Sequence, residues 1–409
     1  MSWEVIVVGA GAAGLMAAAK ASERGRKVLL LEKNSIAGKK LLISGKGRCN
    51  ITNNTNIDGL IRNIPGNGNF LYSSFHNFSN KDLMKLLEDE GLELKVERGG
   101  RVFPISDKAS DVVRALQRFA EKKGARVRFN APVASIEAKD GRIAGVRLRN
   151  GDFIGCESVV LATGGASYPG TGSTGDGYEM AKKLGHTVTP LKPSLVPLLV
   201  EEKWVSELQG LTLKNIAIKA FDENGKKIYT DFGEMLFTHY GVSGPVILSL
   251  SSHLLDYDFK DVRLVIDLKP ALDEETLDAR IRRDFEKYSN KQFKNSLNDL
   301  LPKKLIPVIV RLSGIPAEKP VNQVSREERR NLVGLLKNFS LEITGSRPIS
   351  EAIVTAGGIR TSEIYPSTME SRLVKGLYLA GELIDVHGYT GGFNLTIAFS
   401  TGYTAGISC

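Results

Sequence analysis

Apolar and polar positions follow two distinct textures along the chain. Val5-Ile-Val-Val8 is a continuous apolar run and predicts a strand buried on both faces of a parallel sheet. Gly9 to Gly14 is a turn, and residues 12–24 have helical composition closed by Gly25. Val28 to Leu31 repeats the buried-strand pattern and ends on Glu32, which completes a βαβ unit. Asn80 caps a predicted helix over 80–90, and Ser106 with Asp107 opens another over 107–123. Short strands are predicted at 126–129, 133–138, 143–148 and 153–156, with hairpin turns at Asp140-Gly141 and Asn150-Gly151. Ser158 to Leu161 returns to the buried type and runs into Ala162-Thr-Gly-Gly165.

Elsewhere the pattern is weaker. Residues 38–77 are rich in Gly, Asn, Ser and Lys with little periodicity, which predicts an ordered functional loop. Near Thr189 the prolines 190, 193 and 197 cluster, and alternating strand-like segments follow to about residue 268. Pro270 opens a charged helical stretch that runs to about residue 340. The glycine-rich texture then returns from Ile349. The predicted class is α/β, with a discontinuous Rossmann-like domain (1–190 and 350–409). A 191–349 insert interrupts it, β-rich over 191–269 and helical over 270–340.

Composition narrows the class. Of 409 residues, 42% are hydrophobic and 25% charged, which excludes disordered and collagen-like chains. The 42 glycines have no period, so they point to close backbone approach rather than low complexity. Three cysteines (49, 156, 409) without a CxxC argue against a disulfide scaffold and a zinc site. The five histidines show no metal spacing, so no metal is expected. A net charge of +9 calls for an anionic partner. Because Lys and Arg are dispersed, a phosphate-bearing cofactor and a solvated surface account for that charge, and nucleic acid is not the expected partner. No apolar stretch reaches the roughly 18 residues needed for a membrane span. A cytoplasmic protein acting on a small molecule is expected.

Gly9-Ala-Gly11-Ala-Ala-Gly14 is G-x-G-x-x-G between a strand and a helix. Gly9 permits the tight turn, Gly11 the approach of a pyrophosphate, and Gly14 close helix–strand packing at a helix N-terminus. Glu32 ends the second strand 23 residues after Gly9, where an acid binds a ribose 2′-OH. Ala162, Thr163 and Gly164, then Gly381 and Glu382, supply further backbone approaches to one long ligand. With no second G-x-G-x-x-G, FAD fits better than NAD.

Four motifs then carry a family resemblance over essentially the whole chain: Gly45-Lys-Gly-Arg-Cys-Asn50, Phe237-Thr-His-Tyr-Gly-Val-Ser-Gly-Pro245, Val354-Thr-Ala-Gly-Gly-Ile359 and Gly391-Gly-Phe-Asn394. The chain resembles the BaiN-like or YhiN-like flavoproteins, the aminoacetone oxidase-like and 3-dehydro-bile acid reductase-like group. The resemblance implies one tightly bound, non-covalent FAD in a glutathione-reductase-type fold with an inserted β and helical region. It implies pyrophosphate contacts at Gly9, Gly11, Ala12, Ala13 and Gly14, with Glu32 and Lys33 at the adenosine ribose and Pro132-Val133 along the adenine. Lys39, Lys40, Ser44, Gly45, Gly47, Arg48, Cys49 and Asn50 would form the loop under the flavin. Gly391, Gly392, Phe393, Asn394 and Leu395 would bring a helix N-terminus, opening at Asn394, to the flavin pyrimidine.

His239, His387 and Arg360 are the candidate catalytic side chains, the histidines as proton donors and the arginine as a substrate anchor. Arg48 beside Cys49 is a setting that lowers a thiol pKa. The expected activity is that of an FAD-dependent oxidoreductase, NAD(P)H-linked, that reduces a small carbonyl or enone compound. Its insert would cover the flavin and form the substrate pocket. The rival readings are a small-amine oxidase using oxygen, a nucleic-acid-modifying flavoprotein whose RNA binding collapses at high salt, and a flavin-bound redox sensor.

Overall fold

The computed structural model describes residues 3–409. It forms two compact units, one comprising residues up to Ser194 together with Pro348–Cys409, the other Leu195–Arg347.

The first unit is built on a five-stranded parallel sheet. Its strand order is Leu377–Leu379, Ser158–Leu161, β1 (Val5–Val8), β2 (Val28–Leu31) and Arg126–Arg128. Every residue of β1 and β2 is buried, as the unbroken apolar runs require of strands covered on both faces. β1 enters helix α1 (Ala12–Glu23) through the Gly9–Gly11 turn. A Cβ on Gly14 would lie 1.8 Å from the Gly9 carbonyl oxygen, so only glycine lets helix and turn pack this closely. The C-terminal helix Phe393–Ser408 packs along α1, and a Cβ on Gly402 would lie 2.3 Å from the Ala13 carbonyl oxygen. The hairpin Val133–Lys139 with Arg142–Leu148 turns at Asp140 and Gly141, both left-handed, as the Asp-Gly signal predicts.

The second unit is a closed six-stranded antiparallel barrel. Around it run Leu198–Val200, Gly241–Ser243, Lys227–Phe237, Thr212–Phe221, Val262–Asp267 and Phe339–Ser346. Alternation decides which face is inside: Ile216, Ile218, Val262, Leu264, Ile266, Leu341 and Ile343 are all buried. Closure leaves no free sheet edge.

Several local expectations are corrected. Residues 38–77 are not one loop: they contain helix α2 (Lys39–Ile43), helices Ile57–Arg62 and Tyr72–Asn77, and a short strand Thr52–Asn53. Helices of five or six residues show too few turns for a 3.6-residue period to register. The cap of helix Asn80–Asp89 is Ser79, in a reciprocal capping box with Asp82. Asn80 is instead buried, donating to the carbonyls of Asn53 and Thr55. The next helix is Ala109–Lys122, with no side-chain cap, because Asp107 is committed to Arg48 and Lys95. The 270–340 stretch is three helices (Glu274–Lys287, Ile306–Leu312, Arg326–Lys337), the first capped by Asp273 rather than opened by Pro270. The C-terminal helix begins at Phe393, capped by Gly392 at φ 102°.

Candidate cofactor and active site

A cavity of about 620 Å³ opens within the first unit, inside the range of small-molecule and cofactor sites. Its wall includes the Gly9–Ala13 turn, Glu32, Lys33, Val133, Ala162–Gly164, α2, Gly381, Glu382, Asn394 and Leu395. Segments far apart in sequence therefore converge on one site, and the N-termini of α1 and the C-terminal helix both reach it. A Cβ on Gly11 would meet no protein atom within 4 Å, so this backbone faces open space. On Gly9 it would lie 2.6 Å from the Ala162 carbonyl oxygen. The turn is thus closed on its protein side and open on its cavity side, a cradle that fits a pyrophosphate.

Polar side chains around the wall are pre-organised. Glu32 accepts from the backbone N–H of Ala10 and of Asn34, each at 2.8 Å, and from the Asn34 side chain. These contacts fix the carboxylate at the end of β2, where a ribose hydroxyl would be read. Lys33 donates to Thr174 at 2.6 Å and to Asp176 at 2.9 Å. Burial opposes ionisation of Asp176, but hydrogen bonds from Thr174 and Lys33 hold it below the usual carboxylate range. Further along, Lys40 donates to Glu382 at 2.7 Å and to Ser167 at 2.6 Å. The other Glu382 oxygen accepts from the Thr355 N–H (2.9 Å) and from Ser167 (3.0 Å). Burial again opposes ionisation, yet Lys40 and these donors keep Glu382 charged.

Not every expected site residue reaches the wall. Gly9, Gly11, Ala12, Ala13, Glu32, Lys33, Lys39, Lys40, Ser44, Gly45 and Val133 do, as do Ala162, Thr163, Gly164, Gly381, Glu382, Asn394 and Leu395. Gly14 lies behind the turn as its packing contact. Gly47, Arg48, Cys49, Asn50, Pro132, Gly391, Gly392 and Phe393 are outside the lining. Asn50 braces the site: in the orientation that satisfies its amide it accepts from the Gly392 N–H at 3.0 Å and donates to Thr52 and Val102 carbonyls. Arg48 is turned away from Cys49 toward Glu97 and Asp107 and stacks over Phe103 at 4.1 Å. Burial pushes the Cys49 thiol up to about 11, the reverse of the lowered pKa expected from its neighbour.

The catalytic candidates are placed as follows. His387 is buried, its Nε2 has no hydrogen-bond partner among the described residues, and burial pulls its pKa down to about 4. It is therefore neutral near pH 7 and lies outside the lining. Arg360 is exposed and faces Asp385 electrostatically. His239 belongs to the barrel unit, its ring edge-on to Tyr240 at 4.7 Å. One further arrangement imitates a catalytic triad: His186 lies 2.9 Å from the Ser371 hydroxyl and 3.1 Å from Glu363. Ser371 is buried and accepts from the N–H groups of Leu373 and Val374, so it is a brace without substrate access.

Sequence reasoning missed Ala10, Gly38, Tyr168, the 171–173 segment, Asp176, Ile353 and Val386 on the wall. Gly38 carries a signal in hindsight: it is left-handed (φ 63°) directly before α2. Tyr168 is also left-handed (φ 51°), which no sequence pattern announces.

The cradle, Glu32 at the end of β2 and the two helix N-termini fit an FAD, and the chain is an FAD-dependent oxidoreductase by its family. The particular group follows from comparison: the chain belongs to the HI0933-like protein Rossmann domain family, which matches residues 3–408. It is 34% identical over 404 residues to a ribosomal RNA dihydrouridine synthase of Escherichia coli K12, covering 98% of this chain and 96% of that one. It is 32% identical over 406 residues to a 3-dehydro-bile acid delta(4,6)-reductase of Clostridium scindens, covering 98% and 97%. Among solved structures, a 3-ketosteroid-delta4-(5alpha)-dehydrogenase from Rhodococcus jostii shares the fold, with a TM-score of 0.53 at 16% identity, covering 100% of this chain and 96% of that one. No helix among the described residues is long and apolar enough to cross a membrane.

Proposed function

We propose that this chain uses NAD(P)H to saturate a carbon–carbon double bond conjugated to a carbonyl, and that its substrate is a uridine in RNA. The observation that carries the reading is a shared chemistry between two full-length relatives with different substrates. Dihydrouridine is uridine with the C5–C6 bond saturated, a bond conjugated to the C4 carbonyl. A delta(4,6)-reductase acting on a 3-dehydro compound likewise saturates bonds conjugated to a ketone. Charge supports RNA over a small enone, the reverse of the order that composition alone suggests. The unit holding the cavity has 32 Lys and Arg against 24 Asp and Glu, while the barrel unit has 23 against 22.

FAD, when bound, supplies the hydride chemistry between NAD(P)H and substrate. The protein supplies the rest. The Gly9–Ala13 turn and the α1 N-terminus would hold the pyrophosphate, and Glu32 would read the ribose. Lys40 and Glu382 fix a paired charge on the wall. The N-terminus of the 393–408 helix brings partial positive charge to the wall at Asn394 and Leu395. The substrate gains a hydride at one carbon and a proton at the next, while NAD(P)H becomes NAD(P)⁺.

The test uses the flavin-loaded protein without oxygen. NADH or NADPH should bleach the flavin bands, and unmodified ribosomal RNA should restore them while forming dihydrouridine. Recovery with a steroid-type enone but not with RNA would assign the substrate to the second reading, and bands untouched by either dinucleotide would remove NAD(P)H as donor.

A further inference from the structure

Two left-handed turns each expose a cation, the first on the cavity wall directly after α2, the second tied to the first and to the glycines before the 393–408 helix. In the first, Gly45 (φ 56°), Lys46 (φ 59°) and Gly47 (φ 84°) are consecutive left-handed residues. A residue with a Cβ is disfavoured in that region, so Lys46 sits on a strained backbone held between two glycines. Lys46 lines the cavity and is exposed. In the second turn, Gly99 (φ 78°) and Gly100 (φ 73°) follow Arg98, which is also exposed.

The two turns form one structure. The Arg48–Glu97 ion pair ties the first to the second. Asn53 then donates to the carbonyls of Gly99 (2.9 Å) and Gly391 (3.1 Å), which ties the second turn to the glycines leading into the C-terminal helix. A Cβ on Gly100 would lie 2.6 Å from the Asn53 side-chain oxygen, so this junction also needs glycine.

The charges are unbalanced. Residues 44–54 and 94–108 carry six cations and only two acids, Glu97 and Asp107. Arg48, Lys95 and Arg101 already occupy both acids. Among the described residues, the side chains of Lys46, Arg98 and Lys108 make no ion pair or hydrogen bond. Of these, Lys46 and Arg98 sit on the two turns, with Lys108 beyond the strand Arg101–Pro104. Two exposed ammonium and guanidinium groups without counter-charge therefore sit on turns braced to each other, one on the cavity wall and the other tied to the glycines before the C-terminal helix.

We infer that Lys46 and Arg98 hold the phosphodiester backbone of the RNA on either side of the nucleotide whose base enters the cavity. This inference rests on the RNA reading above. Phosphate contacts of this kind position the strand without reading sequence, and the cavity then selects the base. Each one releases counterions on binding, so the affinity falls with salt in proportion to their number.

The experiment measures binding of flavin-loaded wild type, Lys46→Gln, Arg98→Gln and the double variant to a single-stranded ribosomal RNA fragment across a salt series. Dihydrouridine formation and flavin content are followed in parallel. The slope of log affinity against log salt should become shallower by about 0.7 for each cation removed and by about 1.4 in the double variant. Lys46→Arg should restore the wild-type slope, since it keeps the charge. Wild-type slopes in both single variants, with wild type forming dihydrouridine, would overturn the inference and leave the RNA reading standing. A rise in the NADPH concentration needed, or a drop in bound flavin, with RNA binding unchanged would also overturn it by assigning the anion to a dinucleotide. If wild type neither binds nor reduces RNA, the reading fails first and the inference falls with it.

Discussion

The two units solve the problem of specifying a fold in different ways. The unit that holds the cavity contains 34 of the 42 glycines, and several of them sit where a Cβ would strike backbone. The barrel unit contains eight, and its barrel faces are set by strand alternation. One of the eight, Gly241, serves close strand approach, since a Cβ there would lie 2.1 Å from the Leu198 carbonyl oxygen. Glycine and excess positive charge are concentrated together, in the unit built to receive a phosphate-bearing ligand. Where the chain must only exclude water from itself, glycine is needed at few places, such as Gly241 against Leu198. This contrast predicts that small changes at glycine damage the first unit through its ligand, while the second is damaged through loss of packed volume.

The largest expected effect is at Gly14. With 1.8 Å between an added Cβ and the Gly9 oxygen, Gly14→Ala must separate α1 from its turn. The expected loss of FAD affinity exceeds a thousandfold, about 4 kcal/mol, and is read as missing flavin absorbance in the purified protein. Stoichiometric flavin in this variant would remove the Gly9–Gly14 turn from the cofactor site.

The corresponding break in the barrel is Leu264→Ala. Leu264 is fully buried on a strand of the closed barrel, so the cavity it leaves has little room to collapse. A cost of about 3–4 kcal/mol is expected, near 10 °C in melting temperature. Flavin should remain bound at 25 °C. Loss of flavin at that temperature would show that the contrast between the units is wrong.

How much of this was legible in the sequence follows the same division. β1 and β2 could be read to the residue because a doubly covered strand needs an unbroken apolar run. The Gly9–Gly14 turn and Glu32 were legible because each residue type answers a separate steric or chemical need. The helices inside 38–77 were not, since elements of five or six residues take their stability from packing rather than from their own period. Ser79 was within reach, as Ser-x-x-Asp is a capping box, but Asn80 next to it satisfies the same composition rule. His387 shows the limit for function. Its position beside the glycine run suggested chemistry, whereas its burial, which holds the imidazole neutral, was invisible in the sequence.

That burial has a pH consequence confined to the first unit. The His387 pKa is about 4 in the folded chain against 6.5 for an ordinary histidine. The folded protein therefore binds fewer protons than the unfolded one between these values. The stability this group contributes is complete above pH 6.5 and is lost as pH falls toward 4, by about 3 kcal/mol in total. His387→Gln cannot titrate and should flatten that part of the stability–pH curve, measured by urea unfolding at each pH. An unchanged slope in the variant would assign the acid sensitivity to other groups.

The smallest effect has the opposite sign and is the sharpest test of the contrast. Gly334 lies inside the helix Arg326–Lys337 of the barrel unit. A Cβ there meets no atom within 4 Å, and the residue has no left-handed φ. Nothing about ligand or packing requires glycine at that position. Gly334→Ala should therefore stabilise the protein by about 0.5–1 kcal/mol, because alanine loses less backbone freedom on entering a helix. The same substitution is thus expected to remove the cofactor at one position and raise the melting temperature by a few degrees at another. A destabilised Gly334→Ala would mean that helix Arg326–Lys337 too uses glycine for close approach, beyond the strand contact at Gly241.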